Sequence, residues 1–360
     1  MSKTLTIVGI GPGEQGFVTP EVSAAIARAT DAVGYIPYIE RLPARPDLVC
    51  HPSDNRVELD RARHALDLAA AGGDVVVVSS GDPSVFAMSA AVFEAMEAPS
   101  EAWADVDIAV LPGITAMLAA SAAIGAPLGH DFCCINLSDN LKPWDIIERL
   151  PARPDLVCHP SDNRVELDRA RHALDLAAAG GDVVVVSSGD PSVFAMSAAV
   201  FEAMEAPSEA WADVDITVLP GITAMLAASA AIGAPLGHDF CCINLSDNLK
   251  PWDIIERRLR LAAQGDFAMA FYNPRSTSRP HGFEKTLQVL KEECGDNRLV
   301  IFARNVSRPD QNIRVVPLQD TTPDMADMRT VVIVGSSKTK TLQHGEQEFV
   351  YTPRFYEVDV

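Results

Sequence analysis

Val75-Val-Val-Val78, running directly into Ser79-Ser-Gly-Asp-Pro-Ser-Val-Phe86, is the stretch on which the fold turns. A strand with one wet face alternates polar and apolar residues. Four consecutive valines suit instead a parallel strand covered on both faces. Gly81-Asp82-Pro83 then breaks the strand, and Ser84 to Met96 returns as a helical stretch. Upstream, Asp60 to Ala71 reads as a helix stopped by Gly72-Gly73, and Ala32-Val-Gly-Tyr35 as a strand. Pro20 to Ala29 fits a helix with Thr19 as N-cap and Pro20 at the first position. Leu5-Thr-Ile-Val-Gly-Ile10 is a buried strand that ends in Gly9-Ile-Gly-Pro-Gly13. Downstream, Ile108 to Leu111 is a strand, followed by Pro112-Gly-Ile-Thr115 and an Ala-rich helix through Ile124. Strands alternating with helices predict an α/β domain with a mainly parallel sheet. From Phe240 the same style recurs: strands at Phe240–Asn244, Phe267–Tyr272, Leu299–Ala303 and Thr330–Val334, helices at Trp252–Ala263 and Glu284–Glu293. This predicts a second α/β domain, joined to the first near Gly125–Gly129 or its copy Gly233–Gly237.

That copy is part of a long internal repeat. Arg41–Glu148 recurs as Arg149–Glu256 at a constant offset of 108, with Ala109 against Thr217 as the one difference. Near-identity does not fit a solenoid family, whose repeats drift at surface positions. Removing one copy leaves 252 residues (360 less 108) that read continuously. Residues 1–40 occur once and hold the first two strands. Loop closure favours their pairing with the nearer copy by about 1 kcal/mol or less. The expected organisation is therefore an N-terminal lobe at 1–128, a surplus partial lobe at 129–236 with exposed apolar edges, and a C-terminal lobe at 237–360.

A formal net charge of -20 argues against non-specific binding to nucleic acid or anionic membrane. No apolar window is long enough to span a bilayer, and the N-terminus lacks a signal-peptide core. Seven cysteines with no CxxC spacing point to reduced thiols in a cytoplasmic protein and to no metal site.

The chemistry concentrates where strands end. Pro12 in the first glycine loop lacks an N–H, which weakens a pyrophosphate cradle and disfavours a nicotinamide-dependent dehydrogenase. Asp82, fixed between Gly81 and Pro83, is placed either to accept from a ribose or amine or to cap a helix starting at Pro83. Thr115 can cap a helix or contact a ligand. Asn244–Asp247, Tyr272-Asn-Pro-Arg-Ser276 and Gly335-Ser-Ser337 also follow strands. Ligands of open α/β sheets bind beyond the carboxyl ends of strands, so these loops predict a cleft between two lobes.

Together, the Gly9–Gly13 loop, the Ser80–Phe86 segment, Pro112–Thr115 and Tyr272–Ser276 resemble the S-adenosylmethionine-dependent tetrapyrrole methyltransferases. The resemblance covers essentially the whole chain less one copy. Gly34-Tyr-Ile-Pro-Tyr38, Ser53-Asp-Asn-Arg56, Gly129-His-Asp-Phe132, Leu137–Trp144 and Asp327-Met-Arg-Thr330 ahead of Val334-Gly-Ser-Ser337 most resemble the branch acting on C17 of precorrin-3B. The resemblance implies a two-lobed enzyme, usually a homodimer, with S-adenosylmethionine held between the lobes. Gly9, Gly11, Pro12, Gly13, Ser80, Gly81, Asp82, Val85, Thr115 and Ala116 would form one rim, and Tyr272, Asn273, Arg304 and Val306 the other. It also implies C-methylation with ring contraction to precorrin-4. Proton transfer during contraction makes His238 and Asp247, or their copies His130 and Asp139, candidate acid–base residues, with a structural role for each His as the alternative. Ser246, Lys250, Arg275 and Arg308 are candidates for holding substrate carboxylates. Competing readings are a cobalt-factor III methyltransferase and an inactive tetrapyrrole-binding protein whose cleft the repeat has split.

Overall fold

The computed structural model describes residues 3–13, 15–54, 57–125, 128, 131–134, 159, 166–187, 189–206, 208–247, 250–276 and 279–354. The N-terminal lobe runs β1 (Thr4–Gly9), α1 (Pro20–Arg28), β2 (Asp31–Tyr35), α2 (Ile36–Ile39), β3 (Val49–Ser53), α3 (Glu58–Ala70), β4 (Asp74–Ser79), α4 (Met88–Met96), β5 (Asp107–Leu111) and α5 (Ala116–Ile124). Its strands form one all-parallel sheet in the order β3-β2-β4-β1-β5. Val75 to Val78 are fully buried, as the unbroken apolar run requires. Thr19 Oγ1 accepts from the Val22 N–H and Pro20 opens α1, the cap expected from the sequence. The helix expected from Ser84 begins only at Met88, because Asp82 and Ser84 turn the chain locally and Phe86 takes a φ of 51°.

β6 (Phe132–Cys134) ends the described part of the first copy, and the second copy follows with α6 (Glu166–Ala178), α7 (Met196–Met204), α8 (Ala224–Ile232) and β7 (Gly233–Ala234). Its helices form as in the first copy, since helical hydrogen bonds close within the segment. Its sheet strands do not. β1 lies between β4 and β5 in the first copy and pairs with both, and no second β1 exists to join their equivalents. Residues 181–187 are therefore unpaired, with Val184 58% and Val186 61% exposed. Ala170, Leu174, Met196, Ala203 and Trp211 make a small satellite core. Beside it lies an apolar cleft of about 230 Å³ between Leu174, Val185 and Ile216, where the absent sheet centre would pack.

The span assigned to the surplus segment does not behave as one unit. β6 joins the second sheet, and α8 with β7 enters the main core. Met225 and Leu226 pack there against Ile114, Leu118 and Ile333, because α8 leads without a break into the second lobe.

The C-terminal lobe continues with β8 (Phe240–Asn244), α9 (Trp252–Gln264), β9 (Ala268–Tyr272), α10 (Gly282–Glu293), β10 (Leu299–Arg304), β11 (Asn312–Pro317), β12 (Thr330–Val334), β13 (Lys340–His344) and β14 (Gln347–Tyr351). Its mixed sheet has the order β11-β10-β12-β9-β8-β6. β8, β9 and β10 run in one direction and β12 against them. The β13–β14 hairpin and β7 form a three-stranded sheet that packs on α4 of the first lobe. Phe93 meets Phe349 at 4.8 Å between ring centroids and Tyr351 at 5.7 Å. Across the same junction His344 Nε2 lies 2.8 Å from the Val106 carbonyl, and the Arg354 N–H donates to Glu94 at 2.7 Å.

Candidate active site

Three loops converge where β1, β4 and β5 end. Gly81 N–H donates to the Gly11 carbonyl at 3.0 Å, and a β-carbon on Gly9 or Gly113 would stand 2.4 or 2.2 Å from the Gly81 carbonyl oxygen. Only bare backbone fits there. Asp82 ties the loops together. Its Oδ2 accepts from the Gly113 N–H at 3.0 Å, and its Oδ1 accepts from the Ser84 N–H at 2.9 Å and the Ser84 hydroxyl at 2.5 Å. Burial lifts this carboxyl to about 6, against the pull of its three donors. Asp82 is thus the knot of the rim. The helix that Asp82 was expected to cap at Pro83 starts instead at Met88, so its Ser84 bonds close a turn within the loop.

Arg41 completes this rim and was not singled out from the sequence. Its Nη2 donates to the carbonyls of Ile10 and Gly11 at 3.0 and 3.1 Å, and its Nη1 lies 3.5 Å from Ser80 Oγ. Pro12 is buried, Gly13 half-buried, and Val85 packs against the central core. Thr115 Oγ1 caps α5 by accepting from Leu118 N–H at 3.3 Å, with Ala116 as the first helical residue. Gly81, at φ 70°, faces a gap bordered by Ile114 O, Thr115 Cα and Ala116 N. These atoms lie 3.6 to 3.9 Å from where a β-carbon would stand, so a methyl group would just fill the space.

The second rim lies at the carboxyl ends of β8, β9 and β10. Asn273 Nδ2 donates to Asn244 Oδ1 at 3.1 Å, and Asn244 Oδ1 also accepts from the Ser246 N–H at 2.9 Å. Arg304 pairs with Asp327 at 2.8 Å, and Val306 packs against the core. Arg275 is half-buried and Arg308 exposed. Arg279 stitches two rim loops through the carbonyls of Leu245 and Asn273, at 3.4 and 3.3 Å. Lys250 is already paired. Asp131, from the first copy, accepts from Lys250 Nζ at 2.5 Å, from Arg258 at 2.6 Å and from Asn244 N–H at 2.7 Å.

Tyr272 departs from the expected partnership. Its hydroxyl bonds to Thr223 Oγ1 and accepts from Met225 N–H at 3.0 Å, at the start of α8. Burial raises its pKa well above the ordinary tyrosine value. The aromatic neighbour is Phe194, 5.3 Å away, while the first copy's Phe86 meets Phe240 at 6.4 Å. The loops that would serve both rims in a one-copy chain are therefore divided. The first copy completes the Gly9–Gly13 rim and the second copy meets Tyr272.

Strand direction separates the two acid–base candidates and moves one loop away from the cleft. His238 precedes β8 and Asp247 follows it, which puts them on the order of 15 Å apart at about 3.3 Å per residue. His238 Nδ1 accepts from the Asp239 N–H at 2.7 Å, and Asp247 lies 4.0 Å from Arg279 Nε. They cannot act on one atom together. Gly335–Ser337 follows β12, which runs antiparallel, so this loop sits at the opposite edge, where Ser337 bonds Asp266. His130 and Asp139 lie outside the described residues. Among the described residues no cluster of three His, Cys, Asp or Glu is placed to hold a metal ion, and no helix is long and apolar enough to cross a membrane.

Comparison with known proteins agrees with this architecture. The family model described as Tetrapyrrole (Corrin/Porphyrin) Methylases matches residues 4–166 and again 159–322. A precorrin-3B C(17)-methyltransferase of Sinorhizobium sp is 52% identical over 211 residues, spanning 58% of this chain and 83% of that one. At 211/0.83, its length is about 254 residues, close to that of this chain less one copy. A probable cobalt-factor III C(17)-methyltransferase of Salmonella typhimurium is 37% identical over 191 residues, covering 53% of this chain and 76% of that one. Among solved structures, one described as the methyltransferase CobJ is 44% identical, covers 97% of this chain and 99% of its own, and has a TM-score of 0.38. With the family model matched twice along its length, the chain belongs to the tetrapyrrole (corrin/porphyrin) methylases.

Proposed function

We propose that this chain transfers a methyl group from S-adenosylmethionine to C17 of precorrin-3B, with ring contraction to precorrin-4, as one step toward the corrin ring. The observation that carries this reading is the 52% identity extending over 83% of the Sinorhizobium methyltransferase. The methyl-sized space beside Gly81, bounded by backbone, suits the edge of a ligand pressed between two loops. In this reading Gly9, Gly11, Pro12, Gly13, Ser80, Gly81, Val85, Thr115 and Ala116 hold the cofactor from one lobe, and Tyr272, Asn273, Arg304 and Val306 from the other. Asp82 and Arg41 keep the first rim in shape. When bound, the cofactor supplies a methyl group already activated as a sulfonium. The protein's part is then to align the two reactants and exclude water.

Arg275, Arg308, Ser246, Lys250 and Arg279 are the candidates for binding substrate carboxylates, with Lys250 and Arg279 already facing Asp131 and Asp247. Asp247, on the exposed rim, is the better placed of the two acid–base candidates, since His238 sits at the far end of its strand. The first lobe is 1–128, and the second is 237–360 together with β6, α8 and β7, with Thr223 standing at the start of α8. The acidic surface supports an enzyme free of nucleic acid and anionic lipid, and a cytoplasmic homodimer is the assembly we propose.

The test is methyl transfer from labelled S-adenosylmethionine to precorrin-3B and, in parallel, to cobalt-factor III. The expected result is a product carrying one added methyl from the metal-free substrate. Turnover of the cobalt substrate alone would move the assignment to the anaerobic route. Absence of turnover with both, in the full chain and in a chain lacking 129–236, would overturn the reading.

A further inference from the structure

Strand β6 pairs with its own duplicate. Phe132 stands opposite Cys242, Cys133 opposite Cys241 and Cys134 opposite Phe240, in an antiparallel ladder. The register is symmetric about the central pair, so two cysteines from equivalent places in the two copies face each other. Asp131 anchors one end of this docking through Lys250, Arg258 and the Asn244 N–H.

Geometry separates this pair from the other two strand cysteines. Residues directly opposite in an antiparallel ladder have Cα atoms about 4.5–5.5 Å apart, within the roughly 4.4–6.8 Å that a disulfide spans. Cys134 and Cys242 share the other face as diagonal neighbours, about 7–8 Å apart and beyond that reach. Cys133 is exposed and can be reached by a small molecule, whereas Cys241 is buried behind it. A hydrogen bond from Cys241 draws the Cys133 thiol down to about 7 and raises that of Cys241. The exposed member is therefore the one that supplies thiolate near neutral pH, the reactive form of cysteine.

We propose that Cys133 and Cys241 form a redox-responsive dithiol that closes to a disulfide on reaction with a low-molecular-weight disulfide, fastening β6 to β8. Cys133 thiolate attacks one sulfur of the oxidant, forming a mixed disulfide and releasing the first thiolate. That thiolate takes up the proton that Cys241 gives up. Cys241 thiolate then attacks the Cys133 sulfur, the mixed disulfide breaks, and the second sulfur of the oxidant leaves as a thiolate that takes a proton from water. Two electrons pass from the cysteine pair to the oxidant, and one disulfide is exchanged for another. Neither copy alone contains the pair, so this chemistry exists only because the segment is present twice.

The test uses the full reduced chain, incubated with excess oxidised glutathione, quenched in acid and digested without reductant for mass spectrometry. The expected result is an intact chain that has lost two hydrogens and one cross-linked peptide joining Cys133 to Cys241. Cys133→Ser, at an exposed position, should keep the wild-type circular dichroism and give no such peptide. A persistent glutathione adduct on Cys133 with Cys241 still reduced, a bridge using Cys134, or no reaction at Cys133 would each overturn the proposal.

Discussion

Removing residues 129–236 should make the protein more soluble and less adhesive, because those residues carry the strands that have nothing to pair with. The junction this creates, Leu128 to Gly237, reproduces the native Leu236-Gly237 step, so no foreign sequence is introduced. In the first copy Val75, Val76, Val77 and Val78 are fully buried. In the second, Val183, Val184 and Val186 are 36%, 58% and 61% exposed, and Leu219 is 41% exposed. The exposed fractions amount to about two whole aliphatic side chains, or roughly 3–6 kcal/mol of burial left unrealised at about 1.5–3 kcal/mol each. Such a surface binds hydrophobic dyes and neighbouring molecules. The assay is anilinonaphthalene sulfonate fluorescence per mole of native protein, with sedimentation velocity over a range of concentrations. The full chain should bind dye and associate as concentration rises, and the shortened chain should do neither. Equal dye binding per mole by the two chains would refute the argument that the unpaired valines are the sticky surface.

Gly81→Ala should lower the affinity for S-adenosylhomocysteine measured by calorimetry and cost about 1–2 kcal/mol in stability from its φ of 70°, while Gly189→Ala should leave that affinity unchanged. Equal loss in both variants would mean that the second copy's loop also binds. Asp82 titrates near 6 when folded and near 3.9 when unfolded, so between about pH 4 and 6 the folded state holds the extra proton. Stability should therefore fall as pH rises through that window, by up to about 3 kcal/mol, and level off above it. Urea midpoints for wild type against Asp82→Asn should show the slope reduced in the variant, and an unchanged slope would contradict the burial argument. Asp131→Asn should lower the unfolding free energy obtained from urea melts by about 1–3 kcal/mol, because Lys250 loses its carboxylate partner while remaining largely buried. A midpoint equal to wild type would show that the pairing adds nothing to stability.

What the sequence made legible follows the range of the interactions involved. The Val75–Val78 strand, the Thr19–Pro20 cap and the Ala-rich helix from Ala116 depend on near neighbours, and each stands where pattern and capping chemistry put it. The convergence of Gly9, Gly81 and Gly113 was visible as three small-residue loops after strands. The antiparallel direction of β12 was not legible, which is why Gly335–Ser337 was expected at the cleft. Arg41 escaped notice because its partners are backbone carbonyls about thirty residues upstream in the chain, which leave no trace in residue type. The β13–β14 hairpin was missed because its turn, His344-Gly-Glu-Gln347, lacks the usual Asn-Gly or Asp-Gly signal. Asp82 stands out in the sequence between Gly81 and Pro83, but its partners Gly113 and Ser84 are set by loop geometry that residue type does not reveal.

The repeat begins at Arg41, after β1 and β2 are complete, and that boundary determines the fate of everything it copied. α3 and α6 share one sequence, yet Ala62, Ala65, Leu66 and Ala69 are buried in the first while only Ala170 and Leu174 are buried in the second. The molecule thus carries a matched comparison within itself, identical side chains with and without a central strand. A segment of this kind can be copied intact and still lack a fold of its own, since it starts two strands too late to be autonomous.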